Sequence, residues 1–497
     1  MPVCGLGRLT TDRRLRMIGL QVNSTSTIGG NGHYLVALAP SLDTGGSTEY
    51  NMIMSSYDLI SIASIRRRYA IVTFLIWFAT ALPLALSVLL VQSRGLSLTQ
   101  IGFVLGAYSL IIVLLEVPTG GLADAAGRKR VALIAHGLAA VSSLAMLLAF
   151  SFPAYLAAMA LYGVSRALAS GALDAWYVDA LQAVDTDYDL QPALAEVESV
   201  TMLALGAGTL IGGALPRFFP GLPPDGTAIL SPLAVPIAGA LVIRLLLLPV
   251  ISLLIQEERP QGVATRWRDG FRQVPALVRE AAALSRANPR LMLLMAASAV
   301  TGFALMSLES FWQPFFAALP AVDERGPAAT TLLGVIMAGN FAAGIAGNLL
   351  SARLGRLLSR GGQKRHALLA GLSRLWQGVF LLALAASSAL VPAAGFFWLV
   401  YLASGVGLSP HATLVNEEIP AARRSAMLSV QSLAFYAGSF FGGAVLGRVA
   451  DHWSIAAAWV IAGALVVASV IPYALLARGE NRPDVAATDR MEAEKRI

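Results

Sequence analysis

Ionisable residues stand inside otherwise apolar runs of this 497-residue chain, and Glu116, Arg166, Asp174, Glu309 and Arg374 are the candidates among them for coupling or substrate contact. A charge at bilayer depth costs about 2.5 to 3.5 kcal/mol even on lenient insertion scales, so such residues turn towards protein or water and mark ion or substrate paths. Carboxyl groups placed there can exchange protons, and guanidinium groups can hold an anion or a carboxylate. Arg166 and Asp174 are eight residues apart, which on one continuous helix sets them about 12 Å apart along the axis and prevents a direct pair. Glu116 is therefore the expected partner of Arg166, in proton coupling, in substrate contact or as a purely structural ion pair. Glu309 lies near the end of its run, before Phe311, Trp312, Gln313 and Pro314, where it can reach water; Arg374 lies deeper and is the better cavity candidate. Arg244 is close enough to an interface to snorkel and reads as structural.

Other chemistries find no support. The sequence holds no phosphate-binding G-x-x-x-x-G-K-[ST] loop and no clustered nucleophile and base. Its single cysteine, Cys4, precludes a disulfide framework or a thiolate metal site. His411 and His452 lack metal-ligand spacing, and His411, following Pro410, reads as a satisfied structural histidine. The expectation is a protein that is not an enzyme and that uses neither cofactor nor metal.

The residues are 56% apolar and only 13% charged, and the mean hydropathy is +0.68, too apolar for a soluble protein of this size. A helix needs about 20 mostly apolar residues to cross a bilayer. Twelve runs qualify: 69–91, 99–119, 131–151, 154–178, 197–216, 229–255, 291–317, 328–352, 366–389, 392–415, 426–448 and 455–477. An even number puts both tails on one side. Arg66 to Arg68, Arg128 to Arg130, the arginines of 256–290, and Arg353 to Arg365 all fall at that side's loops, so it is expected to be cytoplasmic. The formal charge of +7 is spread over these clusters and makes no nucleic-acid face.

The turn after the second run reads GGLADAAGRKR, from Gly120 through Asp124, Gly127, Arg128 and Lys129 to Arg130, and a decayed copy, GRLLSRGGQKR, begins 235 residues later at Gly355. Gly120 and Gly127 suit a tight turn, Asp124 can accept from donors at a helix N-terminus, and Arg128 can hold an acid such as Asp179. A second repeat, G-[ST]-x-x-G-G, places Gly208, Gly212 and Gly213 in the fifth run and Gly438, Gly442 and Gly443 in the eleventh. Small residues let helix backbones approach closely in lipid.

The first motif resembles the signature between helices 2 and 3 of major facilitator superfamily transporters, with Ala125 at a usually basic position, and its copy resembles the one between helices 8 and 9. The glycine repeat is similar to G-P-x-x-G-G in helix 5 of the family's drug and proton antiporters, with Thr209 in place of proline. The partly matching span-four stretch SGALDAWYVD and EVPTGGLAD point the same way. The resemblance runs from about Arg66 to Arg478.

It implies an all-α membrane protein of twelve transmembrane helices in two six-helix bundles, residues 66–255 and 291–477, joined by a cytoplasmic linker, 256–290. Residues 1–65 are expected to form a disordered tail, or in part to precede the true start, since Met52 and Met54 lie just ahead of the first run; 478–497 form a second tail. Within the linker, Trp267, Phe271, Val274 and Val278 alternate with arginines, which suits either a helix on the inner leaflet or a solvated connection. The motif cluster implies a cytoplasmic gate. The function implied is proton-coupled export of small amphipathic molecules by a monomer in the inner or plasma membrane; uptake symport is the alternative within the fold, and a non-transporting receptor or scaffold lies outside it.

Overall fold

The computed structural model describes residues 61–223, 226, 228–257, 279, 286, 288–323, 327–359, 365–419 and 424–480, with side chains except at 116–118, 120–125, 321, 323, 327, 424–430 and 479–480. The expectations for residues 1–60 and 481–497, for most of 256–290 and for the side chains of Glu116 and Asp124 fall outside the described residues, whereas 62–65 and 478–480, expected in the tails, are helical. Every regular element among those described is helical, and twelve of the helical segments are long and apolar enough to cross a membrane.

In the first half these are α1 (Ile62–Ala81) continued by α2 (Ser87–Ser93), α3 (Leu98–Ala126), α4 (Arg128–Leu148), α5 (Phe152–Ala169) with α6 (Ala172–Val184), α7 (Leu190–Ala214) and α8 (Val235–Leu254). The second half holds α9 (Pro289–Ala317), the short α10 (Pro320–Asp323), α11 (Pro327–Leu358), α12 (His366–Ala385), α13 (Leu390–Glu418), α14 (Arg424–His452) and α15 (Ile455–Ala468) with α16 (Val470–Glu480). Starts follow capping chemistry: Ser61, Asp189, Asn288 and Ser454 each accept a hydrogen bond from a first-turn backbone N–H.

Local sequence explains the interruptions. Pro83 cannot donate to a helix ladder, so α1 tightens into a single 3-10 turn, Leu82–Ala85, before α2 restarts the same span. Gly171, at φ 71°, ends α5 in the left-handed region and restarts the span as α6. The fourth span is thus broken between Arg166 and Asp174, where the sequence suggested one continuous helix. The first begins at Ile62, seven residues earlier than expected, because Ser61 caps it and Arg66 finds a carboxylate at Glu196.

Alternation of the spans defines two faces. On the tail face, Arg66 pairs with Glu196, Arg128 with Asp179 and Arg290 with Glu418. On the loop face, the Arg94 guanidinium donates to the carbonyls of Met146 and Ala149, joining the ends of the first and third spans.

The two glycine repeats act as equivalent joints. In α7, Gly208 and Gly212 lie against Phe78, Ala81 and Leu82 of the first span, and Gly213 lies against Thr330 and Gly334 of α11. In α14, Gly438 and Gly442 lie against Ala299 and Phe303 of α9, and Gly443 lies against Gly102 of α3. Each repeat therefore binds its own half with two glycines and the opposite half with the third. Apolar side chains do not drive helices together in lipid, so such close backbone packing carries the association. Both crossings between the halves lie towards the loop face, where Leu86, Ile101, Phe311, Trp312, Phe316, Phe397 and Trp459 form the largest buried apolar cluster. Exposed Leu203, Leu253 and Val391 lie on the outer, lipid-facing surface.

Candidate functional site

Below the loop-face crossings the halves enclose a cavity of about 1000 Å³. Trp77, Tyr108, Tyr155 and Tyr162 line it from the first half, and Trp312, Phe341 and Tyr401 from the second. A second compartment of about 630 Å³ continues to the tail face past Tyr69, His136, Arg166 and Asp174, and shares Trp77, Tyr108, Ser109, Glu198, Met306 and Glu309 with the first.

The loop-face end is closed by a polar lock that follows from Pro83. The restart at α2 leaves its first N–H groups without intrahelical acceptors. Gln313 of α9 fills the gap: its Oε1 accepts from Val88 N at 2.9 Å, and its Nε2 donates to Leu84 O at 2.9 Å. Beside it the Asp451 carboxylate caps α3 from the opposite half, accepting from Leu98 N at 2.9 Å and from Thr99 N at 2.8 Å.

Glu309 opens into the cavity from α9 and, among the described residues, has no hydrogen-bond or ion-pair partner. It does not simply reach bulk water at a helix end, because α9 runs on to Ala317 behind the Gln313 lock. Arg166 faces the tail-side compartment with its guanidinium 4.8 Å from the centre of the Trp77 ring, a cation–π contact. Asp174 stands in the first turn of α6, where the helix dipole favours a carboxylate, and accepts a hydrogen bond from Tyr69 Oη.

Two arginines differ from expectation. Arg244 does not snorkel: only 5% exposed, it donates to Ser143 Oγ, to Ala139 O at 3.2 Å and to Tyr162 Oη at 3.0 Å. Its place halfway along α8, a cavity-lining helix, leaves no interface within reach. Arg374 is not on the wall of either compartment; it is buried in the second half and donates to Gln377 Oε1 at 2.6 Å, three residues along the same helix. His411 is also internal, bonded to Ser298, Gln431 and Tyr473.

At the tail face the signature turn is made by Gly127 at φ 96°, while Gly120 lies within α3. Arg128 Nη1 meets Asp179 Oδ2 at 2.5 Å, and Arg130 is exposed. The free N–H groups that open α4 are taken by Glu257, whose two oxygens accept from Arg128 N at 2.7 Å and Lys129 N at 2.9 Å. Lys129 Nζ donates to Ser252 O, and Trp176 Nε1 to Gln256 O. The third, fourth and sixth spans are thereby tied together.

Four contributors were not singled out in the sequence: Glu198, His136, Gln313 and Glu257. Glu198 lies two turns inside α7, which starts earlier than the apolar run, and the other three take their meaning from partners more than 100 positions away or from a compartment wall. The spacing of Pro83 from Ser87 is the one local signal, since a broken helix implies unpaired backbone donors.

A family profile described as the Major Facilitator Superfamily matches residues 69–409. Among solved structures, the nucleoside transporter NupG is similar with TM-score 0.66 and 16% identity, covering 83% of this chain and 98% of that one. A peptide transporter POT in complex with sulfate gives TM-score 0.65 and 14% identity over 84% of this chain and 95% of that one. A bacterial homologue of the iron transporter ferroportin gives TM-score 0.60 and 16% identity over 85% of this chain and 100% of that one. No curated protein matches the sequence.

Proposed function

The chain belongs to the Major Facilitator Superfamily and is a multi-pass secondary transporter rather than an enzyme, and from that premise we propose that it exports small amphipathic molecules in exchange for protons. The observation that carries this reading is the cavity between the halves, whose aromatic walls suit an apolar body and whose free carboxyl group, Glu309, suits a proton or a positively charged group.

The mechanism is alternating access by rocking of the two halves about the cavity. On this reading the tail face is cytoplasmic, because Arg66 to Arg68, Arg128 to Arg130, Arg353 and Arg356 lie on it. The conformation described then faces inward, with the loop face closed by both glycine crossings, Gln313 and Asp451. Substrate enters the cavity from the cytoplasm or inner leaflet, the halves rock, and a proton arriving at Glu309 from outside favours substrate release and return. Arg166 and Asp174, on either side of the break in the fourth span, are proposed to adjust the tail-side compartment as the halves move. The signature cluster, Gly120, Asp124, Gly127 and Arg128 to Arg130 with Asp179, is proposed to gate the tail face.

The test is uptake of a panel of dyes and antibiotics into everted membrane vesicles energised with a proton gradient. Export by proton exchange requires accumulation inside the vesicles that an uncoupler abolishes. Accumulation only in right-side-out vesicles would reverse the direction, and accumulation insensitive to the uncoupler would remove the proton.

A further inference from the structure

A second recess of about 540 Å³ lies away from the central cavity, between α1 and α7. Its origin is in the sequence. Ala63 and Ala70, seven residues apart and so on one helical face, leave space between the bulkier Ile71 and Phe74 of α1 and Leu203 of α7. Ile71 is 43% and Leu203 65% exposed, so the recess opens outward to the surrounding hydrocarbon. The opposite face of α7, through Glu198, Met202 and Leu205, lines the central cavity.

The charged end of the recess lies at the tail face. Arg66 is engaged by Glu196, with Nε 2.7 Å from Oε2, and that pair cancels one charge of each sign. Arg67 also lines the recess, is exposed, and has no partner among the described residues. From Arg67 to Phe74 is seven residues, about 10 Å along the helix axis, a depth that runs from the headgroup region into the acyl region of a bilayer. A cation at the interface above an apolar slot is complementary to a negatively charged headgroup above an acyl chain.

We propose that this recess binds one anionic phospholipid from the surrounding bilayer, its phosphate on Arg67 and one acyl chain along Ala70, Ile71 and Leu203. A zwitterionic lipid fits less well, because its own cationic group offsets the phosphate that Arg67 attracts. A free anion fits less well, because most of the recess wall is hydrocarbon. The site requires only that the chain spans a membrane, and stands apart from the direction and coupling of transport.

The test is native mass spectrometry of the full-length protein in mild detergent, titrated with palmitoyl-oleoyl phosphatidylglycerol or with phosphatidylcholine of the same chains. The wild type should retain phosphatidylglycerol at lower lipid concentration. Arg67→Gln should weaken that binding about five-fold, the weight of one basic residue near an anionic surface, while Arg67→Lys restores the preference. Ala70→Leu, which fills the slot on an outward face and leaves the charge intact, should weaken it as well. Equal retention of the two lipids, or unchanged binding in Arg67→Gln, overturns the site. Loss in Arg67→Gln without loss in Ala70→Leu, or displacement by inorganic phosphate, assigns the arginine to a bare anion contact and also overturns it.

Discussion

Gly102 of α3 and Gly443 of α14 meet backbone to backbone, so closely that a Cβ added to either would run into the carbonyl oxygen of the other. The equivalent contact on the far side of the molecule is Gly213 of α7 against Gly334 of α11, where an added Cβ would fall 2.7 Å from the Gly334 Cα. These two joints hold the loop face shut, and both must part if the halves rock.

A side chain at the first joint should therefore hold the loop face open. Gly443→Leu overpacks a backbone contact, a change that costs about 1 to 3 kcal/mol in packed interiors and acts only on the closed state. The equilibrium should shift about five- to 150-fold towards loop-face opening. A cysteine introduced at Ile101 in a Cys4→Ser background reports this: its labelling by a membrane-impermeant maleimide from the loop side should rise, while transport falls. Unchanged labelling in a correctly inserted variant would show that the joint does not govern access.

Asp451 should act in the same direction with smaller effect. Its carboxylate caps α3 from across the interface, and loss of a helix cap costs about 1 kcal/mol. Asp451→Asn keeps one acceptor and should shift loop-side labelling modestly; Asp451→Ala should shift it more, by about five-fold. Identical labelling in wild type and Asp451→Ala would reduce the contact to a surface detail.

Glu257 should matter for stability rather than for access. It satisfies two backbone donors at the start of α4, and it follows directly on α8, so the contact ties together two spans of the first half. Glu257→Ala should lower stability by about 1 kcal/mol, read as a lower unfolding midpoint of the protein in detergent, with Glu257→Gln intermediate. A variant of full stability but altered labelling of the tail face would instead make Glu257 part of the gate.

Much of this architecture can be read from the chain. Twelve apolar runs and two repeats are enough to give twelve spans in two halves, because length and hydropathy alone decide which segments cross a bilayer. The glycines Gly208, Gly212 and Gly213 stand out in the sequence as suited to close helix packing, because so many small side chains recur on one helix. Which neighbour each glycine meets could not be read, because that is set by the crossing of helices hundreds of residues apart. The break at Gly171 was hidden for a different reason: a single glycine inside an apolar run is compatible with a continuous helix, and only the left-handed φ angle shows otherwise. Arg244 and Arg374 illustrate the limit for polar residues. For Arg244 the sequence suggests a depth near an interface, whereas it lies halfway along α8, and the rotation that turns it to the cavity wall and Arg374 into the second bundle is fixed by packing.

On the proposed function, the free carboxyl group of Glu309 couples transport to protons. This coupling is tested most directly in proteoliposomes containing a pH-sensitive dye, by adding a substrate found in the vesicle panel and recording the proton movement it evokes. Substrate should drive proton flux through the wild type, and Glu309→Gln should show none while still exchanging labelled for unlabelled substrate. Substrate-evoked proton flux at the wild-type rate in Glu309→Gln would contradict that coupling.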